Sequence, residues 1–289
     1  MAKLVYDCIE VEGCDEDQPP ILFLHGMFGC KEQWEEVPRK VGEATKRKVY
    51  AIDARNHGAS EWTDDFDFDM NVDDLFHFMD TIGAQKATIV GHSMGGITAI
   101  KAALREPERI EKFAAEDIGV RKVSQEILNT IQAYVSLAQQ ALEHMPDSVD
   151  DEDEAKKFIF QYVFQNLPPE VQKLGKKFDK NDPSTINKSV RLRRTEDGRF
   201  GYMYNAQVLG RAVGDADRIM SEPQGVYEGP ACFIYGKISP FLINQEEENI
   251  KKYFPNAELV GIENATHSVH NDNPEEYLDA LLKFLQNAD

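Results

Sequence analysis

The heptapeptide VGHSMGG, residues 90–96, ends an apolar run and is followed by a pattern of helical period. Its serine, Ser93, stands between two glycines, Gly91 and Gly95, at the point where the run stops. Glycine costs backbone entropy, so its place on both sides of a serine indicates a turn in which larger side chains would collide. A G-x-S-x-G pattern between a strand and a helix presents a serine hydroxyl at the top of a sheet. We therefore predict that Ser93 is a nucleophile.

The rest of the chain alternates short β-rich runs with helical patterns. Several runs are continuously apolar, as in parallel strands that are covered on both faces. Strands that alternate with helices predict an α/β protein with a mostly parallel central sheet flanked by helices. The predicted strands are residues 3–11, 21–25, 48–53, 86–90, 111–117, 231–235 and 257–262, and the predicted helices are residues 31–46, 70–82, 94–106 and a last helix with Asn273 as its N-cap.

The alternation stops in the middle of the chain. Residues 123–145 carry apolar side chains at helical spacing, whereas the aromatic residues 155–167 fit either a strand or a helix. Residues 190–204 read as a hairpin with its turn at Asp197 and Gly198. This segment predicts a mainly helical lid inserted between two strands of the sheet. The expected division is a core domain at residues 1–119 and 223–289 and a lid at residues 120–222.

Composition and charge limit the classes of partner. The 289 residues include 51 acidic and 32 basic residues, which give a net charge of −19. An acidic surface repels nucleic acid and anionic lipid, so we expect neither as a partner. No apolar run reaches the roughly 18 residues that a membrane helix needs. The first 13 residues have no signal-peptide pattern, so we expect a cytoplasmic protein, or a mitochondrial one if a leader preceded this sequence.

The cysteines show neither C-x-x-C nor zinc spacing. Four cysteines in such an arrangement predict free thiols in a reducing compartment and no metal site. They are Cys8, Cys14, Cys30 and Cys232.

Four motifs resemble, in their usual order, the landmarks of the α/β-hydrolase superfamily, and the resemblance covers nearly the whole chain. It implies the α/β-hydrolase fold, with a mostly parallel central sheet flanked by helices and an inserted lid. The motifs are FLHGMFG (23–29), AIDARNHGAS (51–60), VGHSMGG (90–96) and ENATHSVHNDNPEEY (263–277).

A narrower resemblance concerns one branch of that superfamily. EDIGV (116–120) and DGRFGYMYN (197–205) resemble the branch that contains abhydrolase domain-containing protein eleven and small bacterial esterases. It implies a serine esterase or lipase that uses neither a metal nor an organic cofactor.

A serine hydroxyl is a weak nucleophile until an imidazole takes its proton. In this architecture the histidine comes last in the chain, after the last strand of the sheet. His267 has that place, and the resemblance puts the base there rather than at His270. We therefore predict that His267 is the general base.

The acid of the triad departs from the usual pattern. Ser239 occupies the position after the penultimate strand at which many members of the superfamily carry the acid. Asp117 follows the strand after the Ser93 turn, and parallel strands present their C-terminal ends to one crevice. The resembling branch has this displaced acid, so the resemblance implies a triad of Ser93, Asp117 and His267, with Ser239 supporting the Asp–His contact. Glu116 is the alternative acid, although on a pleated strand it points to the opposite face.

Backbone N–H groups that stabilise a negative oxygen complete the expected site. One donor is the N–H of Met94, the residue after the nucleophile at a helix start. The other comes from the HGMFG loop, where we predict Met27 and keep Phe28 as the alternative.

These residues predict a serine hydrolase that cleaves carboxylic esters or thioesters through an acyl-enzyme. The apolar lid favours hydrophobic acyl groups and thus a small, lipid-like ester as the substrate. Two other functions remain open: acyl transfer to an alcohol or thiol by the same triad, and a non-catalytic role as a receptor or partner-protecting protein on the same fold.

Overall fold

The computed structural model describes residues 1–167, 172, 186, 190–214 and 222–287. The chain divides into two units. The first consists of Met1–Lys122 with Met220–Asp289, and the second is Val123–Ile219. Of the lid expected at residues 120–222, the ranges 168–171, 173–185, 187–189 and 215–221 lie outside the described residues.

The strands of the described residues are short, and those at Val49–Ile52 and Ala87–His92 are buried along their whole length. They are β1 (Tyr6–Ile9), β2 (Ile21–Leu24), β3 (Val49–Ile52), β4 (Ala87–His92), β5 (Ile110–Glu116), β6 (Leu192–Arg194), β7 (Phe200–Tyr202), β8 (Ala231–Gly236) and β9 (Ala257–Ile262).

Seven of these strands form the sheet of the first unit, in the order β1-β3-β2-β4-β5-β8-β9. Only the edge strand β1 is antiparallel to its neighbour, and the other pairs are parallel. In the register of β4 and β5, His92 lies opposite Glu116. The next residues along the two strands, Ser93 and Asp117, therefore leave the sheet side by side at its carboxyl edge. This confirms the predicted α/β class and its mostly parallel sheet.

Helices of the described residues connect the strands. They are α1 (Val37–Thr45), α2 (Phe68–Thr81), α3 (Met94–Arg105), α4 (Gln125–Glu143), α5 (Glu152–Asn166), α6 (Ala206–Val213), α7 (Glu247–Tyr253), α8 (Val269–Asp272) and α9 (Pro274–Gln286), with short 3-10 helices at Lys31–Trp34, Pro107–Arg109 and Ile243–Gln245.

The predicted helix over 31–46 is wrong in one respect, because the structure divides it. A 3-10 helix ends at Trp34, and Glu35 follows with a φ of 48°, which a continuous helix cannot contain. Pro38 then lies in the first turn of α1, where its missing N–H costs nothing. The predicted start of α9 is confirmed, since the Asn273 side chain caps the helix.

The core of the first unit lies between the sheet and its helices. The inner strands β2, β3, β4, β5 and β8 are buried at nearly every residue, which explains their continuous apolar runs. Trp34 is fully buried, and its ring packs edge-on against Phe23 of β2. Side chains of α9 such as Tyr277 and Leu281 belong to the same core. This packing holds in place both the segment that follows β2 and the helix α9, which follows β9.

In the second unit, α4 packs against α5 and α6. Residues 152–166 form a helix, so the aromatic segment with two possible periods follows the helical one. Its buried residues, Ala155, Ile159 and Val163, recur every four positions. β6 and β7 pair antiparallel on either side of Asp197 and Gly198, which confirms the predicted hairpin.

Two further findings concern the whole of the described chain. None of its helices combines the length and the apolar character required to cross a bilayer. All four cysteines are free thiols, as predicted.

Candidate active site

Ser93 lies on a sharp turn between β4 and α3. Its φ is 51°, in the left-handed region that costs energy for a residue with a side chain. A Cβ atom on Gly95 would lie 2.1 Å from the Leu24 carbonyl oxygen, and one on Gly91 would lie 2.3 Å from the Gly95 carbonyl carbon. Both glycines are therefore required by close backbone packing. The turn is held by the Ser93 N–H, which donates to the Glu116 carbonyl oxygen at 3.0 Å.

Asp117 follows β5 beside this turn. It is fully buried, and its φ of 49° is also left-handed. Its Oδ1 accepts the Gly236 N–H at 2.9 Å, and its Oδ2 accepts hydrogen bonds from His267 Nδ1 at 2.8 Å and from Ser239 Oγ. A buried carboxylate needs such partners to keep its charge. The structure thus brings together three of the residues that the sequence singles out.

His267 lies in the loop after β9. Because Nδ1 faces a carboxylate, it carries the proton of the neutral ring and leaves Nε2 free to accept one. The loop is anchored by Thr266, whose N–H donates to Asp272 at 2.7 Å and whose hydroxyl donates to it at 2.5 Å. About 30% of the imidazole side chain is exposed, so a substrate can reach it.

His92, the residue before Ser93, connects the Ser93 turn to the loop that carries His267. His92 Nε2 donates to the His267 carbonyl oxygen at 3.0 Å, and the two rings have centroids 4.9 Å apart. Within the described residues, no hydrogen bond joins Ser93 Oγ to His267. In unliganded enzymes this bond is often long and tightens only with substrate.

The expected oxyanion donors belong to two loops that meet behind Ser93. The Gly95 N–H donates to the His25 carbonyl oxygen at 3.1 Å, and a Cβ atom on Gly26 would lie 3.5 Å from Ser93 Cβ. Among the residues that the structure describes, the Met27 and Met94 N–H groups have no acceptor. Two unpaired backbone donors near a serine suit an incoming negative oxygen.

A second carboxylate–imidazole pair lies directly behind the first. Glu116 accepts from His270 Nδ1 at 2.7 Å and from the His270 N–H at 2.9 Å, and both side chains are 2% exposed. Burial alone would raise the pKa of Glu116, but the interactions with His270, chiefly its charge and its two hydrogen bonds, lower that pKa to about 2. Glu116, the alternative acid of the sequence, therefore points away from His267 and towards His270.

Two residues that sequence reasoning missed connect the loops of the site. Gln33 accepts the Gly26 N–H at 3.1 Å, and its amide nitrogen lies 3.3 Å from His92 Nδ1. Burial lowers the pKa of His92 to about 3, so this ring is a neutral connector. Glu246 accepts the Val120 N–H at 2.9 Å and thereby holds the segment after Asp117. Neither residue stands in a motif, so no sequence signal marks them.

The chain is similar to known lipases, acyltransferases and esterases. The chain is 31% identical over 274 residues to the sn-1-specific diacylglycerol lipase ABHD11 of Mus musculus, with 94% of this chain and 82% of that protein covered. It is 28% identical over 272 residues to Ethanol acetyltransferase 1 of Hanseniaspora uvarum, with 90% and 78% covered. A solved structure called a marine microorganism esterase superposes with a TM-score of 0.79 at 24% identity, over 98% of this chain and all of that one.

The family comparison covers most of the chain. The sequence profile of the family described as alpha/beta hydrolase fold matches residues 19–274, which include both the β4–α3 turn and the loop after β9. Together with the relative that is more than 30% identical, this match shows that the chain belongs to the α/β hydrolase fold family.

Proposed function

We propose that this protein is a serine hydrolase that cleaves carboxylic esters or thioesters, with Ser93 as nucleophile, His267 as general base and Asp117 as acid. The observation that carries the proposal is the hydrogen bond of 2.8 Å from His267 Nδ1 to the buried Asp117. It leaves Nε2 as the ring nitrogen that can accept a proton. The loop that carries His267 is bonded to His92, the residue before Ser93, whose strained backbone is typical of a nucleophile on a sharp turn. The esterase and lipase relatives support the same reaction class.

The geometry supports a two-stage reaction. Ser93 Oγ attacks the ester carbonyl carbon while His267 Nε2 takes its proton, and the carbonyl oxygen becomes negative near the Met27 and Met94 N–H groups. The bond from the acyl carbon to the leaving oxygen of an ester, or to the leaving sulfur of a thioester, then breaks, and His267 gives the proton to the leaving alcohol or thiol. Water attacks the acyl-enzyme with His267 again as base, which releases the acid and restores Ser93. Asp117 stabilises the imidazolium that forms in both stages.

The substrate in this proposal has a hydrophobic acyl group. The Phe241 ring stacks on His267 with ring centroids 4.2 Å apart, and the loop after β2 carries the apolar residues Met27 and Phe28. Apolar walls with a few polar groups are typical of pockets for such substrates. A relative named for diacylglycerol agrees with an acyl chain of this kind.

A labelling experiment tests the proposal. We expect a fluorophosphonate probe to label the wild-type protein and to leave Ser93→Ala unlabelled, because only an activated serine attacks the phosphorus. p-Nitrophenyl esters of increasing chain length should be hydrolysed by the wild type and not by Ser93→Ala. Labelling at another serine, or hydrolysis that survives the substitution, would exclude this assignment.

Acyl transfer is the second candidate, because one relative is named an ethanol acetyltransferase. The same acyl-enzyme would then be attacked by an alcohol instead of water. Product analysis with and without ethanol distinguishes the two, since transfer yields an ethyl ester and hydrolysis yields only the acid. A protein that binds an ester but neither labels nor turns it over would instead be a non-catalytic receptor.

A further inference from the structure

Phe241 interacts with the Asp117–His267 pair both through Ser239 and directly. The Phe241 N–H donates to Ser239 Oγ at 3.2 Å, and Ser239 Oγ donates to the same Asp117 oxygen that accepts from His267 Nδ1. The Phe241 ring then stacks on the His267 imidazole, with ring centroids 4.2 Å apart and planes inclined by 17°. Phe241 therefore contacts the pair at both ends, through its backbone and through its side chain.

The segment that carries Phe241 is itself fixed to the segment that carries His267. The Lys237 N–H donates to the Ile262 carbonyl oxygen at 3.0 Å, and the Ile238 N–H donates to the Ala265 carbonyl oxygen at 3.2 Å. Backbone hydrogen bonds thus join the two segments independently of the contact between the Phe241 and His267 side chains. The stacked geometry is a consequence of this joint and of the Ser239 hydrogen bonds.

We propose that Phe241 is a positioning residue for the reaction proposed above: its ring holds the imidazole plane between Asp117 and Ser93 and stabilises the positive charge that the imidazole gains in each stage. The face of an aromatic ring is negative and attracts a cation placed over it. The imidazole is neutral when it binds the serine proton and cationic just after, so a ring on its face favours the transition state over the ground state.

Phe241 stands two residues after Ser239 in the loop that follows β8. Ser239 stands where many relatives of this fold carry their acid, and here it donates to the displaced Asp117 instead. Pro240 and Phe241 follow Ser239, and the Phe241 ring contacts the imidazole face of His267.

Other titratable groups on the neighbouring elements also act on this imidazole. Asp117 accepts the hydrogen bond from His267 Nδ1, whereas His92 is neutral because burial lowers the pKa of His92 to about 3. His270 and Asp272 belong to α8, and the Asp272 carboxylate is engaged by Thr266. Lys237 lies at the start of the Phe241 segment and is paired with Glu263. Substitution of Phe241 leaves all these groups in place, so a change in titration reports the ring itself.

The test measures the His267 pKa directly, by NMR titration of the imidazole in the Ser93→Ala background, with the signal assigned by its loss in His267→Asn. We expect Phe241→Leu and Phe241→Met to lower this pKa by about half a pH unit or more, because the cation loses its aromatic partner. Phe241→Tyr, which keeps the ring, should restore it. Leu242→Ala, the exposed next residue, is the matched control and should leave the titration unchanged.

Kinetics give a second readout in the protein with Ser93 intact. Phe241→Leu should reduce kcat roughly tenfold with little change in KM, and the acidic limb of the pH–rate profile should move to lower pH together with the NMR value. Phe241→Tyr should return kcat to within about threefold of the wild type.

The opposite shift overturns the inference. If the ring only excludes water, its removal relieves desolvation of the imidazolium, and the pKa of His267 rises instead. An unchanged pKa in both Phe241→Leu and Phe241→Met would overturn it as well. The titration does not need turnover, so it remains informative even if the wild type shows no Ser93-dependent hydrolysis, which would refute the proposed function alone.

Discussion

Two neighbouring acidic residues, Glu116 and Asp117, face opposite sides of the sheet edge and engage different imidazoles. Asp117 accepts a hydrogen bond of 2.8 Å from His267 Nδ1. Glu116 accepts from His270, which is 4% exposed and packs against Trp34. Asp117 follows the last residue of β5 in a left-handed conformation, with a φ of 49°, so the two adjacent carboxylates reach different imidazoles.

At the residue scale we predict that Asp117→Asn lowers kcat about 10⁴-fold, since an amide cannot hold the correct tautomer or stabilise the imidazolium. Glu116→Gln keeps an oxygen for the His270 N–H and does not touch His267, so its kcat should fall less than about tenfold. The measurement is steady-state hydrolysis of one p-nitrophenyl ester by both variants. A larger loss in Glu116→Gln than in Asp117→Asn would show that the acid is Glu116.

At the scale of elements, the β4–α3 turn depends on two close backbone contacts. α3 begins at Met94, immediately after the strained Ser93, and its first turn lies against the end of β2. The serine is thus positioned by the meeting of two strands and a helix. A flexible loop would not keep its hydroxyl near the base after β9.

We predict that Gly95→Ala destabilises the protein by about 3 kcal/mol or more, or prevents folding, because the new Cβ atom would overlap the Leu24 carbonyl oxygen at 2.1 Å. Gly210→Ala in α6 is the matched control. Its Cβ atom would lie 3.3 Å from a Val135 methyl group, and alanine favours a helix, so stability should change by about 1 kcal/mol or less. Urea unfolding measures both. A Gly95→Ala protein as stable as the wild type would contradict the packing described for the turn.

At the scale of the whole molecule, the first unit keeps several histidines inside its core. His57 is fully buried, and burial lowers its pKa well below the ordinary value. Burial also lowers the pKa of His92 to about 3. In the unfolded chain both rings take up a proton near pH 6.5. The stability that these neutral rings contribute is therefore fully present above pH 6.5 and is lost as the pH falls below it.

We predict that the free energy of unfolding decreases by about 1.4 kcal/mol per pH unit for each such histidine between pH 6 and pH 5. His57→Leu should make this decrease in the free energy of unfolding smaller by about 1.4 kcal/mol per pH unit, since leucine cannot be protonated. His77→Gln on the exposed side of α2 should leave the slope as it is. Denaturant unfolding at pH 7.5, 6.5, 6 and 5 provides the measurement, and equal slopes in the wild type and His57→Leu would disprove the role of the buried ring.

The sequence by itself determined the α/β class, the strand positions, the Ser93 turn and the capped start of α9. These depend on local patterns: apolar runs, helical spacing, and glycines that a tight turn requires. The resemblance carried by its motifs also predicted Asp117 as the acid and His267 as the base, with Glu116 and His270 as the alternatives.

Only the tertiary structure brings these side chains into contact, because Asp117 and His267 are 150 positions apart, and only it shows that Glu116 pairs with His270 instead. The break at Glu35, the connection through Gln33 and the stacking of Phe241 on His267 also depend on which loops come to lie together. No local pattern encodes such contacts, since each partner is chosen by the register of parallel strands that lie far apart in the chain.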